Sequence, residues 1–328
     1  MSTKISGNFW EVDSSTAFDK LALETFRHQH QNNRVYRSYC DLIHCDPTGV
    51  DRVEKIPYLP ITFFKTHRVC SFEDADVSYF SSSTTGGGNP SHHYYRNTED
   101  YKMSFRKGFE YFYGAAADYT ILALLPAYLE RKGSSLIYMV NDLMAQSAEA
   151  KNGFYLNQWD LLAKHLLAME RSQQKTILIG VSFALLDFLD QHRFNLKTTI
   201  VMETGGMKGR RKELTREDLH GRLCEGFGCS EIHSEYGMTE LLSQAYAKGN
   251  GLFECPPWMR VSIRENQDPF SSLPFGQTGG LNVIDLANRD SCAFIATEDL
   301  GKAHSNRQFE VLGRFDASEV RGCNLMVV

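Results

Sequence analysis

The sequence lacks the long apolar run that a membrane-spanning helix requires. Its most apolar stretch, residues 119–129, contains Pro126 and is too short to cross a bilayer. The N-terminal segment, MSTKISGNFWEVDSS, has no apolar core like that of a signal peptide. We therefore expect a cytoplasmic protein with no membrane span.

An excess of basic charge is missing as well. The chain has 35 Lys and Arg residues against 40 Asp and Glu residues, whereas a dedicated nucleic-acid or anionic-membrane binder carries a basic excess. The eight cysteines are scattered, which indicates reduced thiols and not a disulfide framework. Internal repeats and low-complexity linkers are also missing. These absences leave an ordinary globular protein for which we expect no nucleic-acid partner.

Apolar runs alternate with helical patterns through the middle of the chain. Continuous β-rich runs without polar alternation are typical of parallel strands that are buried on both faces. Thr215 has the position of a helix N-cap, with Glu217 and Asp218 in the first turn that follows. The pattern predicts an α/β fold with a mostly parallel sheet. The predicted strands are residues 119–125, 176–181 and 198–203, and the predicted helices lie at 135–146, 159–169 and 182–192.

The two ends of the chain have different patterns. Near the N-terminus, apolar residues at helical spacing predict a helical segment over residues 16–42. Beyond residue 257 the pattern changes to short β runs, which predict a small antiparallel subdomain. We therefore expect an α/β body over residues 1–257 and a β-rich subdomain over residues 258–328. The predicted strands of the subdomain are residues 258–264, 280–286, 293–297 and 309–312.

The segment SSSTTGGGNP, residues 81–90, is rich in hydroxyls and glycines; it follows a β-like run and precedes a helix with Asn97 in the N-cap position. Glycine lets backbone N–H groups approach an anion closely, so the segment predicts a phosphate-binding loop, with an ordinary surface loop as the alternative. It lacks the Gly-Lys-Ser/Thr of a Walker loop, and its glycines are consecutive, unlike those of a Rossmann fingerprint. The candidate phosphate ligands are Ser82, Ser83, Thr84, Thr85, Gly86, Gly87 and Gly88.

Four separated segments together resemble the adenylate-forming superfamily, whose members activate a carboxylic acid with ATP. They are the glycine-rich loop, ETGG (203–206), EYGMTE (235–240), and TEDLG with GRFD (297–301 and 313–316). Within the superfamily, the segments IPYLPITFFK, TEDLG and RGCNLMVV and the short length resemble the LuxE-type acyl-protein synthetases. Such proteins activate a fatty acid as acyl-AMP within a bacterial fatty acid reductase and take the acyl group onto a cysteine.

The resemblance implies a role for each matching residue. The glycine-rich loop would hold the phosphates of ATP, and the cofactors implied are ATP and Mg²⁺. A reductase that accepts the acyl group is the implied partner. Glu203, Gly205 and Gly206 match the segment beside the adenine, and Tyr236, followed by Gly237, matches the aromatic residue stacked near it. Thr239 matches the α-phosphate contact and Glu240 the ligand of Mg²⁺. The remaining matches are Asp299 at the ribose, Arg314 near the hinge, and Cys323 as the acyl acceptor.

These implied roles suit the chemistry of adenylation. A carboxylate that attacks the α-phosphorus develops charge on the phosphate oxygens, so the reaction needs positioned donors and a metal more than a protein nucleophile. Taken singly, each residue also suits an ordinary structural role. Thr239 suits a helix cap, Glu240 a solvated acid and Arg314 a surface ion pair. Cys323 suits a thiolate acceptor on a flexible tail, and it equally suits a small apolar position in a final strand.

Two departures from the superfamily pattern concern the cations. The lysine that commonly follows the loop proline is replaced by Ser91, with His92 and His93 next to it. Other cations for pyrophosphate are Lys208, Arg210 and Arg211, which equally form a solvated basic turn. Only twelve residues follow Asp316, so we expect no lid domain with an adenylation lysine; the LuxE-type resemblance accommodates this absence.

Three alternatives stay open from the sequence. One is a phenylacetate-type acyl-CoA ligase, and another is a nucleotide-binding interaction protein that has lost catalysis. The third concerns zinc: Cys224, Cys229, His233 and Cys255 are soft ligands, but their spacing is not that of a standard finger, which favours ordinary buried thiols. The sequence names neither the acid, fatty or aryl, nor the oligomeric state.

Overall fold

The computed structural model describes residues 7–74, 77–82, 89–125, 133–147, 149, 151–205, 211 and 214–315. These residues form the α-helices α1 (Ser15–Asn32), α2 (Arg34–Leu42), α3 (Phe63–Thr66), α4 (Glu99–Tyr113), α5 (Ser135–Ala145), α6 (Trp159–Ser172), α7 (Ser182–Gln191) and α8 (Arg216–Phe227). Short 3₁₀ turns lie at Phe9–Glu11, Pro47–Gly49, Val53–Lys55 and Ala116–Asp118.

The same residues form the strands β1 (Leu59–Pro60), β2 (Ser78–Ser81), β3 (His92–Tyr95), β4 (Thr120–Leu124), β5 (Gly153–Phe154), β6 (Thr176–Val181), β7 (Thr199–Thr204), β8 (His233–Tyr236), β9 (Ala245–Lys248), β10 (Leu252–Glu254), β11 (Met259–Arg264), β12 (Ser272–Leu273), β13 (Thr278–Asp285), β14 (Phe294–Ala303) and β15 (Gln308–Arg314). The helices and strands predicted from periodicity between residues 119 and 203 are confirmed with shifts of a few residues at their ends.

The chain divides into two compact units. The first comprises residues 1–63, 69–72 and 257–328, and the second comprises residues 64–68 and 73–256. One boundary falls at residue 257, and the N-terminal residues group with the C-terminal stretch. The division into a body over residues 1–257 and a subdomain over residues 258–328 stays a prediction.

The first unit contains the antiparallel sheet that the β runs predict. Its strands lie in the order β12-β11-β13-β14-β15, and β1 adds to β14 in parallel. Gln29 of α1 is fully buried beside the turn that joins β13 to β14. Its side-chain amide donates to the backbone oxygens of Asn288 and Arg289, and its oxygen accepts from the N–H of Ala293 at 2.9 Å. Both faces of this buried amide are therefore satisfied.

The helical segment predicted over residues 16–42 is confirmed, but it consists of two helices, α1 and α2. Helix α1 stops at Asn32, because Asn33 adopts an extended backbone and its side chain caps α2 by accepting from the N–H of Tyr36 at 3.0 Å. The Asn33 amide also donates to the backbone oxygen of Ser291 at 3.1 Å. A cap and a tertiary hydrogen bond thus override the continuous apolar spacing.

The second unit contains a mostly parallel sheet in the order β10-β9-β8-β7-β6-β4-β5. Strands β4 to β8 run parallel, whereas β9 and β10 are antiparallel additions. Every residue of β4 and β6 is buried, as expected for strands covered by helices on both faces. The fold class, an α/β protein with a small antiparallel sheet near the C-terminus, is confirmed.

A short strand, β3, separates the glycine-rich segment from the helix that the sequence predicts after it. The segment connects β2 to β3, an antiparallel hairpin with Ser81 opposite His92. Helix α4 begins only at Glu99, whose N–H is bonded by the Asn97 side chain at 2.9 Å, while Thr98 holds the N-cap position. The strand His92–Tyr95 escaped prediction because it is short and mixes histidine with tyrosine.

Candidate active site

The segments ETGG and EYGMTE lie side by side at the carboxyl ends of neighbouring parallel strands. Glu203 and Thr204 end β7, and the register places them opposite Ser234 and Glu235 of β8. Ligands of parallel α/β sheets bind outside these carboxyl ends. The structure therefore brings two of the predicted segments to one edge of one sheet, with Gly205 exposed just beyond β7.

The glycine-rich loop is anchored to the same edge. Its two ends are joined by hydrogen bonds between Ser82 and Ser91, in which the Ser91 N–H donates to the Ser82 hydroxyl at 2.8 Å. His93, fully buried, donates from Nδ1 to the backbone oxygen of Thr239 at 2.7 Å. Three predicted segments thus meet through described residues. The candidate ligands Ser83, Thr84, Thr85, Gly86, Gly87, Gly88 and Gly206 lie outside the described residues.

Glu203 is the centre of a buried ionic network. One carboxylate oxygen accepts from Arg216 at 2.6 Å and the other from the Ser182 hydroxyl at 3.0 Å, while His220 lies 3.7 Å away. Burial would raise the pKa of Glu203, but His220 and the charge of Arg216 outweigh it and hold that pKa below its ordinary value. Glu203 is therefore an ionised, fixed carboxylate on the side of the sheet that carries α7 and α8.

Glu235, the first residue of EYGMTE, has the opposite character. It is 7% exposed and accepts a hydrogen bond from the Thr204 hydroxyl. Burial raises its pKa to about 7, and the negative charge of Glu203 adds to the rise against the Thr204 hydrogen bond. Glu235 belongs to the EYGMTE motif, but the family resemblance implies no role for it. The signal was its position, since alternation along a strand places it on the face opposite Ser234.

The residues after Glu235 form the turn of the YGMTE segment. Tyr236 is buried, and its ring lies 5.7 Å from that of Phe253. Gly237 is exposed, and a Cβ at this position would stand 2.5 Å from the Glu235 carboxylate, so a larger residue would displace that side chain. Thr239 is half-buried and Glu240 is 5% exposed, which excludes a freely solvated acid at Glu240.

Asp299 and Arg314 belong to the first unit. They are opposite each other on β14 and β15, and their side chains approach to 3.5 Å. The Asp299 side chain is only 10% exposed, whereas that of Arg314 is 76% exposed. The two predicted residues therefore form a pair with a shielded carboxylate and a solvated guanidinium.

The remaining predicted residues include the basic residues after Gly206, the acceptor cysteine and the possible metal ligands. Arg211 is held by Asp187 and Asp190 of α7, so its charge is already paired. Lys208, Arg210 and Cys323 lie outside the described residues. Within the described part of the chain, no three His, Cys, Asp or Glu residues form a metal-binding cluster, and the seven described cysteines are free thiols. No helix among these residues is long and apolar enough to cross a membrane.

An apolar cavity of about 20 Å³ lies within the second unit, on the face of the sheet opposite Glu203. Its walls include Phe109 of α4, Met139 of α5, Ile179 of β6, Met202 of β7 and Tyr246 of β9. Tyr246 is opposite Glu235 in the register of β8 and β9. Opposite residues share a face, so Glu235 and Thr204 stand at the carboxyl-terminal end of the face that forms this cavity.

Comparison with known proteins places these features in context. The family model described as LuxE acyl-protein synthetase matches residues 8–110. The long-chain-fatty-acid–luciferin-component ligase of Aliivibrio fischeri is 22% identical over 94% of this chain and 86% of its own length. Its counterpart from Vibrio harveyi is 23% identical over 93% of this chain and 86% of its own length.

Solved structures give the same fold. 2-Hydroxyisobutyryl-CoA ligase, in complex with 2-HIB-AMP and CoA, has a TM-score of 0.66 at 12% identity, over 94% of this chain and 70% of its own. ATP-bound MatB from Rhodopseudomonas palustris has a TM-score of 0.54 at 17% identity, over 74% of this chain and 49% of its own. At these identities the likeness is one of fold.

Proposed function

We propose that this chain, which is similar to the LuxE-type acyl-protein synthetases, activates a carboxylic acid with ATP and transfers the acyl group to a thiol. The carboxylate attacks the α-phosphorus to form acyl-adenylate and pyrophosphate, and a thiolate then displaces AMP to form a thioester. Because both curated relatives are named for a long-chain fatty acid, the proposed substrate is a fatty acid. The proposed location is the cytoplasm.

The hydrogen bond from His93 to Thr239 carries this proposal. It ties the strand after the glycine-rich loop to the YGMTE turn, beside the ends of β7 and β8. A nucleotide bound at this edge would meet the loop, Tyr236 and Thr239 together. Fixed donors around the α-phosphate stabilise charge that develops in the transition state without reorganisation at the moment of reaction.

The proposed roles follow the chemistry of each side chain. Tyr236 and the chain from Glu203 to Gly205 would hold the adenine, Ser82 and the rest of the loop the phosphates, and Thr239 the α-phosphate. Gly237 would keep the turn open beside Tyr236. Asp299 would bind the ribose hydroxyls, since a shielded carboxylate accepts two such bonds well. Arg314 would add a charge near it.

Mg²⁺ is the proposed metal, and Glu240 is the residue that would hold it. Mg²⁺ usually binds through one or two carboxylates together with substrate phosphates, so a single buried carboxylate beside a phosphate site fits. The ion would neutralise charge on the ATP phosphates. A protein cage of three carboxylates is not required, which agrees with the lack of such a cluster among the described residues.

Cys323 is the proposed acyl acceptor, and an acyl-protein or acyl-CoA reductase is the proposed partner. The thiolate is a strong nucleophile even when a few per cent is ionised. These two proposals come from the sequence resemblance, since residue 323 lies outside the described residues.

ATP–pyrophosphate exchange over a panel of acids tests the adenylation step. We expect exchange with at least one fatty acid, and Glu240→Gln should lower it by roughly 100-fold or more because a positioned charge on the phosphates is lost. Glu225→Gln is the matched control, since Glu225 is exposed on α8 and the same charge is removed. Equal exchange in both variants would remove Glu240 from the site.

Intact mass after incubation with ATP and the best acid tests the acceptor. We expect a hydroxylamine-labile acyl adduct on the unmodified chain and none on Cys323→Ser, with exchange retained in both. Acyl transfer to added coenzyme A without a protein adduct would instead support a phenylacetate-type CoA ligase. Nucleotide binding without exchange for any acid would leave a nucleotide-binding interaction protein.

A further inference from the structure

The ends of β7, β8 and β9 hold polar groups whose hydrogen-bonding capacity is not used. Glu235 accepts from Thr204 through one carboxylate oxygen, and no described residue bonds the other oxygen. Gln244 is 6% exposed, and its buried side-chain oxygen has no hydrogen-bond partner among the described residues. A buried unpaired polar atom costs about 1–3 kcal/mol, so the unpaired oxygen of Gln244, next to a Glu235 carboxyl group with one described donor, calls for a ligand.

These groups stand together around Gly237. A Cβ built on Gly237 would lie 2.5 Å from Glu235 Oε1 and 3.4 Å from Gln244 Cγ, so both side chains border the space that glycine leaves. Glu235 is opposite Tyr246 in the strand register, and Gln244 precedes Tyr246 by two positions. Residues two apart share a face, which places Glu235, Gln244 and the cavity wall formed by Tyr246 on one side of the sheet.

The cavity on this face of the sheet is lined by apolar surface. Phe109, Met139, Met202 and Tyr246 enclose the cavity of about 20 Å³, and its lining offers no partner to a polar ligand group. Met139 and Met202 have flexible side chains, which adapt to an inserted apolar group. A small apolar group next to one polar substituent therefore fits the combination of cavity and polar pair.

We propose that Glu235, Thr204 and Gln244 form a subsite that binds a hydroxyl group on the carboxylic acid, so that the preferred substrate is a hydroxylated acid. The inference rests on the proposed function and specifies the class of its substrate. A hydroxyl group both donates and accepts, so it satisfies a carboxylate, a carboxylic acid or either end of an amide. An ammonium group only donates hydrogen bonds, so it cannot accept one from the O–H of protonated Glu235.

The energetic consequence is discrimination between an acid and its hydroxylated analogue. A site built around a hydroxyl rejects the analogue that lacks it, because the buried polar groups stay unpaired when that analogue binds. At about 1.4 kcal/mol per tenfold, pairing the buried oxygen of Gln244 gives a preference of roughly tenfold. A purely apolar acyl site would show no such preference.

The test compares kcat/KM for ATP–pyrophosphate exchange between matched acids, each a parent acid and its 2-, 3- or terminal-hydroxy analogue of equal length. We expect one hydroxylated acid to exceed its parent by about tenfold in the unmodified chain. Glu235→Leu and Gln244→Leu should each bring that ratio towards one, mainly by slowing the hydroxylated acid. A structural role alone would slow both acids equally.

Two further variants keep the test decisive. Thr204→Val removes the hydroxyl that holds Glu235 while conserving volume, so it should also reduce the ratio if Glu235→Leu does not fold. Glu225→Gln, exposed on α8, should leave the ratio unchanged. Exchange with parent acids at equal or higher kcat/KM, an amino acid as the best substrate, or an unchanged ratio in all folded variants would overturn the subsite. Exchange with no acid would instead overturn the proposed function.

Discussion

Glu203 and Glu235 lie on neighbouring strands yet face opposite sides of the same sheet. Glu203 is opposite Ser234 in the parallel register, so Glu235, one residue further, points to the other face. Arg216, Ser182 and His220 surround the first carboxylate, whereas the second has Thr204 as its hydrogen-bond donor. The pKa values of these two acids are therefore shifted in opposite directions, that of Glu203 downwards and that of Glu235 upwards.

Glu235→Gln should change how stability depends on pH. Burial raises the pKa of Glu235 from 4.5 to about 7 in the folded chain, so the folded state keeps a proton that the unfolded chain releases between those values. The free energy of unfolding of the unmodified chain should therefore fall across this window by up to about 3 kcal/mol relative to the variant. Urea unfolding at pH 5, 6, 7 and 8 measures it.

In the companion variant Glu203→Gln, the free energy of unfolding relative to the unmodified chain should depend on pH with the opposite sign. The pKa of Glu203 is lowered in the folded chain, so its ionised form contributes stability above its ordinary pKa, and that contribution is lost as the pH falls through the lowered value. The difference between this variant and the unmodified chain should shrink on the acid side. Parallel pH curves for the two glutamate variants would contradict the assignment of opposite environments.

Removal of Arg216 should be more damaging than removal of its partner. The Glu203 side chain is 4% exposed and that of Arg216 is 29% exposed, so Arg216→Met leaves a buried carboxylate without its cation. We expect a loss of about 3–5 kcal/mol in unfolding free energy, a smaller loss for Glu203→Gln, and partial recovery in the double variant Glu203→Gln with Arg216→Met. Chemical denaturation of the four chains completes the cycle, and additive losses would disprove the coupling.

His93→Leu should loosen the link between the hairpin and the YGMTE turn. The substitution leaves the Thr239 carbonyl without its donor, which costs about 2 kcal/mol in unfolding free energy. Because Thr239 is a proposed α-phosphate contact, the KM for ATP in the exchange assay should also rise. His92→Leu is the matched control, since His92 packs on the Tyr79 ring at 4.6 Å instead. Equal effects at both histidines would argue against the link.

Gly237→Ala should impair exchange more than it impairs folding. The added methyl group would stand 2.5 Å from the Glu235 carboxylate, a flexible side chain that shifts at modest cost. We expect exchange to fall by roughly tenfold, for about 1 kcal/mol of lost stability. Gly221→Ala, in the exposed middle of α8 with open space around it, should instead stabilise the chain by about 0.5–1 kcal/mol. Unchanged exchange in Gly237→Ala would remove the turn from the site.

Arg314→Ala separates binding from stability in the first unit. Its ion pair with Asp299 is long and its side chain is 76% exposed, so the free energy of unfolding should not change measurably. A rise in the KM for ATP would then report a direct role in binding. Asp299→Asn should raise the same KM further, because the shielded carboxylate is the stronger acceptor. A KM unchanged in both variants would exclude the pair from the nucleotide site.

The sequence predicted what depends on local pattern and missed what depends on register. Continuous apolar runs located β4 and β6 to within a residue, because strands buried on both faces carry that pattern. The opposite environments of Glu203 and Glu235 depend on how two strands align, and the break at Asn33 depends on a bond to Ser291 far along the chain. Such partners cannot be inferred from spacing within one segment.

Gln29 joins helix α1 to the turn between β13 and β14 through residues about 260 positions away. During synthesis at about 5–20 residues per second, α1 leaves the ribosome at least on the order of ten seconds before its bonding partners exist. Residues 73–256 of the second unit are made in the interval. The hydrogen bonds of Gln29 therefore form only after most of the chain has been made, and α1 exists without them throughout that interval.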